Sequence, residues 1–370
     1  MKARGLRLLA LDGGGIRGLS TLLILQKLME EIDPVSPPKP CDYFDMIGGT
    51  SPGGLIAIML GRLRMTIKDC IKAYLELADK VFKKKRHRIS FFGKVQGRFD
   101  SEGLEEGIKK VLQEQNLDED ELLQDPKNGD CKVFVCATSK QDKEHCVCFT
   151  TYQSRRLAAH LYQSTTIWQA CRATSAATTF FDPIAIGPFG EEFVDGALGN
   201  NNPVFQLWSQ AQDVWGEHLE NRLACLVSIG TGVPLPGAVG DRPGELVTML
   251  TNLATETERT HEQFQSSHRN LLTNKQYYRF NARGMEFVER QESTKKKEIA
   301  AATGRYLALT DIGKNLEACA EKLASTAREE SESLSVTRVM GLLEEAPAFS
   351  SMAWPMSSGT PARVLSQQTR

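Results

Sequence analysis

The sequence predicts an α/β protein with a mostly parallel central sheet covered by helices. Apolar strand-like runs alternate with helical stretches through the first sixty residues, in the order strand, glycine loop, helix, strand, sharp turn, helix. Four further strand-like runs follow, separated by helical segments. At 370 residues, 41% of them hydrophobic, the chain is long enough to bury a substantial core.

The first strand is "GLRLLALD", which ends in Asp12 and runs into "GGGIRG". "STLLILQKLMEEID" has apolar residues at helical spacing, and "DPVSPPKPCD" breaks that helix with four prolines. "YFDMIGGTS" predicts the second strand and "PGGLIAIMLGRL" a buried helix. Further strands are expected at "CKVFVCATS", "HCVCFTTY", "EEFVDGA" and "LACLVSIGTG". "TIWQACRATSAATTFF" reads as a helix running into a loop, and "NPVFQLWSQAQDVWG" as another helix. Beyond about Pro243 the pattern turns polar and helical, and the Ser/Pro/Gly-rich stretch 346–370 reads as a disordered tail.

Composition excludes some classes of function. Lys plus Arg (45) nearly balance Asp plus Glu (46), so the basic excess of a nucleic-acid binder is missing. The nine cysteines sit largely within apolar runs and read as buried free thiols, which points to a reducing, cytosolic setting. No apolar run approaches the roughly 20 residues that span a bilayer, and "LRLLAL" is too short for a signal-peptide core. "FKKKRHRISFFGK" (Phe82–Lys94) interleaves cations with aromatics and suits either transient contact with a membrane surface or a solvated loop. "HCVC" puts two cysteines on one strand face without completing a zinc shell, so it reads as core and no metal is expected.

Chemistry concentrates at the two glycine turns. Gly49-Thr50-Ser51-Pro52-Gly53 is a G-x-S-x-G between a strand and a helix, the setting of a nucleophile elbow. Gly49 and Gly53 relieve the crowding of a tight turn and let the Ser51 hydroxyl project at the sheet's edge. Pro52 has no N–H, so the residue after the serine cannot donate to an oxyanion. Gly13, Gly14 and Gly15 are the obvious alternative donors; Arg17 fits pairing with a lipid phosphate, bracing of the loop or a solvated charge, with bracing favoured, and Gly18 belongs to the same motif. The same stretch, Gly13 to Gly18, also fits the dinucleotide pattern G-x-G-x-x-G. That reading wants an acid at the end of the second strand, whereas Glu30, Glu31 and Asp33 end the first helix. A base comes from "EEFVDGALGNNNP", where Asp195 ends a strand at Gly196. No histidine follows a strand at a glycine turn. A Ser–Asp dyad is therefore favoured over a Ser–His–Asp triad, with both left open.

These residues resemble the patatin-like phospholipase family. D-G-G-G-x-R-G stands at Asp12–Gly18, G-x-S-x-G at Gly49–Gly53 and D-G-A at Asp195–Ala197. "CRATSAATTFFDP" (Cys171–Pro183) and "SIGTG" (Ser228–Gly232) are similar to two further signatures of the family. The resemblance covers residues 6–232, extendable to about 300, and leaves 233–345 as a mostly helical extension. It implies a three-layer α/β/α fold and a metal-free, cofactor-free lipid acyl hydrolase acting on glycerophospholipids or other acyl lipids. Ser51 would be the nucleophile and Asp195 the general base. A catalytically weak lipid-binding or signalling protein of the same fold is the alternative. Two departures from the family pattern are Pro52 and Thr178, the latter standing where proline is common.

Overall fold

Strand β1 (Leu6–Leu11) is buried along its whole length, and its side chains alternate between two separate apolar cores. Leu9 and Leu11 enter one core, while Leu8 and Ala10 enter the other. A strand sandwiched in this way needs helices on both faces, which is why its run is continuously hydrophobic. The structure, a computed structural model, describes residues 5–81, 100–126, 129–142, 145–177, 180–233, 245–284 and 292–324. The basic segment at Phe82–Lys94, Thr178 and the 346–370 tail lie outside the described residues.

The other strands are β2 (Met46–Thr50), β3 (Lys132–Ser139), β4 (Cys146–Thr150), β5 (Ile184–Ile186), β6 (Glu191–Asp195), β7 (Leu223–Ile229) and β8 (Tyr277–Phe280). They form one eight-stranded sheet in the order β5-β6-β3-β2-β1-β7-β8, with β4 also paired to β3. From β3 across to β8 the neighbours are parallel, and β4, β5 and β6 add antiparallel pairs at the far side. This is the three-layer α/β/α arrangement. One layer holds α1 (Gly18–Ile32), α2 (Pro52–Ala57), α3 (Ile67–Val81), α4 (Ser101–Glu114), α5 (Ile167–Thr174) and α8 (Glu292–Leu307). The other holds α6 (Val204–Trp215) and α7 (Glu245–Ser267), through Leu207, Trp208 and Phe264. In α1, Leu19, Leu22, Leu25 and Leu28 repeat every three residues along the buried face. Thr166 starts α5 with a capping box closed by Gln169.

All six expected strands form. The residues beyond Gly232 behave differently from an appended extension. β8 extends the sheet beyond β7, with Leu226 opposite Tyr277 and Ile229 opposite Phe280. α8 closes over α1, where the Thr303 hydroxyl donates to Ser20 Oγ at 2.8 Å. The α/β unit therefore runs well past the 232 boundary. Sequence pattern missed β8 because its four residues are too few for a period-2 signal.

Candidate active site

β2 and β6 reach β3 from opposite directions and end on consecutive residues of it. Thr50 pairs with Cys136, and Asp195 pairs with Ala137. An antiparallel strand thus meets a parallel one end to end, and the residues at their tips converge. Ser51 Oγ donates to Asp195 Oδ2 at 2.6 Å.

The elbow geometry follows from its sequence. Ser51 has φ 55° and ψ −127°, a conformation that side-chain-bearing residues rarely adopt and that costs about 1–3 kcal/mol. A Cβ on Gly49 would overlap the Gly53 carbonyl, and one on Gly53 would overlap the Leu11 carbonyl at the end of β1. Both positions therefore require glycine for close approach. Pro52 occupies the first position of α2, where no N–H is needed. The Ser51 N–H is held by Thr174 Oγ1 at 2.9 Å. Thr174 belongs to the Cys171–Pro183 signature, which so acquires a physical role.

Asp195 is 3% exposed. Its Oδ2 accepts from Ser51, and its Oδ1 accepts from the Ala197 N–H at 2.8 Å. Burial pushes the carboxyl from 3.8 up to about 7, and these two hydrogen bonds pull it back only in part. A carboxylate of near-neutral basicity can take a proton from a hydroxyl and return it. No histidine among the described residues hydrogen-bonds either group; His160 pairs with Glu191 and His261 with Tyr277. Gly196 lets the chain pass β3 closely, since a Cβ there would lie 2.6 Å from the Cys136 carbonyl oxygen.

The glycine loop lies directly beside the elbow: a Cβ on Gly13 would sit 3.3 Å from that of Ser51, and one on Gly18 would sit 3.2 Å from that of Pro52. Every loop carbonyl is held. Thr231 Oγ1 donates to Gly13 O at 2.8 Å, Arg17 Nε to Gly14 O at 3.2 Å and Tyr74 OH to Gly15 O at 2.7 Å. Arg17 also donates to Gly232 O at 2.9 Å, which ties the loop to the chain just past the end of β7. Gly13 departs from its expected role, because its N–H donates to Asn201 O at 2.9 Å. That leaves the N–H groups of Gly14 and Gly15, for which the described residues supply no acceptor. Gly15 has φ 60°, the left-handed region that favours glycine.

One part of the site lies beyond the motifs. Asp12, which opens the loop, is fully buried, and its Oδ2 accepts from Arg279 Nη2 at 2.6 Å. Arg279, on β8, also donates to Ser228 Oγ at 2.9 Å and to Glu258 Oε1 at 3.0 Å. Burial still pushes Asp12 up to about 6, against the pull of Arg279. An ion pair 267 residues apart in sequence leaves no local pattern to read.

The chain belongs to the patatin-like phospholipase family, whose model matches residues 9–208, more than half of its length. Calcium-independent phospholipase A2-gamma of Mus musculus is 29% identical over 311 residues, covering 80% of this chain and 37% of that protein. Phospholipase A I of Arabidopsis thaliana is 29% identical over 332 residues, covering 75% of this chain and 24% of that protein. Patatin-T5 of Solanum tuberosum is 31% identical over 185 residues, covering 47% of this chain and 43% of that protein. The chain thus spans less than half the length of each of these relatives. The solved structure of VipD from Legionella pneumophila aligns with 87% of this chain and 67% of its own, at 12% identity and a TM-score of 0.37. Among the described residues no helix is long and apolar enough to cross a membrane.

Proposed function

We propose that this protein is a serine lipid acyl hydrolase that cleaves fatty-acyl esters of glycerophospholipids through a Ser51–Asp195 dyad. The observation that carries this reading is the 2.6 Å hydrogen bond from a serine on a strained elbow to a buried carboxylate of near-neutral basicity. Membership in a family of phospholipases supplies the substrate class.

Asp195 Oδ2 takes the proton of Ser51 Oγ as that oxygen attacks the ester carbonyl. The carbonyl oxygen becomes an oxyanion facing the N–H groups of Gly14 and Gly15, at the N-terminus of α1. Collapse expels the lysolipid alkoxide, which takes the proton from Asp195, and leaves Ser51 acylated. A water molecule then gives its proton to Asp195, attacks the acyl carbonyl and releases the fatty acid. Ser51 recovers its proton from Asp195. Lipid is presented at a membrane surface, which the protein contacts transiently from a cytosolic pool.

The test is fatty-acid release from mixed phospholipid vesicles by the wild type, Ser51→Ala and Asp195→Asn. Release by the wild type alone supports the dyad. Release by Ser51→Ala would mean a different nucleophile, and no release by the wild type from phospholipid or short-chain ester would favour the lipid-binding alternative.

A further inference from the structure

Behind the dyad, where β3 meets β4, three thiols converge. Cys136 stands directly opposite Cys148 in the antiparallel pair, and Cys146 is two residues from Cys148 on the same face. Their sulfurs all lie within 4.8 Å of one another. Cys136 and Cys148 are buried, and Cys146 is half-buried on a strand that, among the described residues, pairs with β3 alone. "HCVC" supplies two ligands on one face; the third comes from the neighbouring strand, and only the register reveals it.

We propose that Cys136, Cys146 and Cys148 form a binding site for a thiophilic divalent cation of the zinc class. At a metal–sulfur distance of about 2.3 Å, three sulfurs around one ion lie about 4 Å apart, so the cluster needs to contract by less than about 1 Å. Charge selects the divalent ion. Three thiolates leave a net −1 with it and −2 with a monovalent ion, and the larger uncompensated charge is the costlier one to bury. Gln206 offers a neutral oxygen for a fourth position, its Oε1 lying 4.0 Å from Cys148 Sγ. Binding exchanges thiol protons for the ion and releases them to solvent. The half-exposed Cys146 gives the ion its way in.

The site shares its strand with the dyad. Cys136 is the partner of Thr50, and the next residue is the partner of Asp195. Gln206 Nε2 donates to Asn200 Oδ1 at 2.9 Å, and the Asn200 carbonyl accepts from Thr50 Oγ1 at 2.6 Å. A hydrogen-bond chain thus runs from the proposed fourth ligand to the elbow, and the binding proposal does not rest on the hydrolase reading.

Titration of the full-length protein with Cd²⁺, read by thiolate-to-cadmium charge-transfer absorption, tests the site. One equivalent is expected to bind, to displace Zn²⁺ already bound, and to be lost in Cys146→Ser and in Cys148→Ser. It is expected to persist in Cys225→Ser, which alters the pair of thiols 3.9 Å apart at Cys225 and Cys319. Zn²⁺ is also expected to raise the melting temperature of the wild type and not of Cys146→Ser. That variant sits on the sheet's margin and carries the test even if Cys148→Ser fails to fold. No charge-transfer band in the wild type, or an undiminished band in Cys146→Ser, would overturn the proposal.

Discussion

Asp195→Asn is expected to abolish hydrolysis and, at the same time, to stabilise the protein above neutral pH. The carboxyl is pushed from 3.8 to about 7 by burial, so the folded chain disfavours its ionised form relative to the unfolded chain. A difference of about 3 in pKa, at about 1.4 kcal/mol for each, corresponds to about 4 kcal/mol. Below pH 3.8 both states hold the proton and nothing is gained or lost. Between 3.8 and about 7 the unfolded chain releases a proton that the folded chain keeps, so stability falls as pH rises, and above 7 the whole penalty applies. Asparagine escapes it. Its carbonyl can still accept from the Ala197 N–H, and its amide can donate to Ser51 Oγ. Urea unfolding of both proteins at pH 5 and pH 8 reads the effect. The variant is expected to exceed the wild type by about 2 kcal/mol at pH 5 and about 4 kcal/mol at pH 8. Asp12, pushed up to about 6, contributes a slope of the same sign to both proteins and cancels in the difference. Equal stabilities at pH 8, or a weaker variant, would refute the claim that burial of an ionised Asp195 opposes folding.

The same carboxyl sets the pH dependence of the wild type: kcat/KM for a soluble ester is expected to rise to half its maximum near pH 7, and a profile flat from pH 5 to 9 would remove Asp195 as the base. Gly14→Ala places a methyl against the Thr231 hydroxyl that holds the loop, and is expected to lower kcat about 10²–10³-fold with little change in KM; an unaltered kcat would take Gly14 out of the oxyanion site. Arg279→Met strands Asp12 in the interior and is expected to cost about 3–5 kcal/mol in chemical unfolding, whereas adding Asp12→Asn is expected to restore part of the loss; strictly additive losses would mean that the pair is not coupled.

How much could be read beforehand depended on distance along the chain. Whereas the need for glycine at Gly53 comes from the Leu11 carbonyl of a different strand, the elbow was legible at Gly49 because its crowding against the Gly53 carbonyl arises within five residues. Bracing by Arg17 was legible for the same reason, because its acceptor at Gly14 lies three residues away. Gly13 looks the same as Gly14 and Gly15 in sequence, and only the fold brings Asn201 O to its N–H. Thr174 lay inside a recognised segment, yet its task as acceptor for Ser51 N–H required the packing of α5 against the elbow. Arg279 and Glu258 left no trace, since β7 and β8 had to pair before Arg279 could reach Asp12. The cysteine cluster was half visible, two ligands from local spacing and the third from strand register.

Two features, proline after Ser51 and no histidine among the described residues hydrogen-bonded to the pair, have a common physical resolution on the proposed mechanism. Proline removes a donor that many serine hydrolases draw from the elbow, so on this mechanism the oxyanion must be met by a separate loop. That loop is stiffened on every carbonyl, by Thr231, Arg17 and Tyr74, and on the proposed mechanism the N–H groups of Gly14 and Gly15, which find no acceptor among the described residues, meet the oxyanion. The missing histidine is answered by burial. Imidazole is the usual base because its pKa lies near 6.5, and an ordinary carboxylate is too weak a base by more than two pH units. Withdrawing Asp195 from water brings its carboxyl to about 7, into the range where imidazole works. Desolvation thus replaces a third residue, and the penalty appears as the pH-dependent instability that Asp195→Asn is expected to relieve. A Ser–Asp pair of this kind can serve as a base only while its carboxyl stays dry, which makes the tight passage of Gly196 against β3 and the buried Ala197 N–H part of the chemistry rather than of the scaffold.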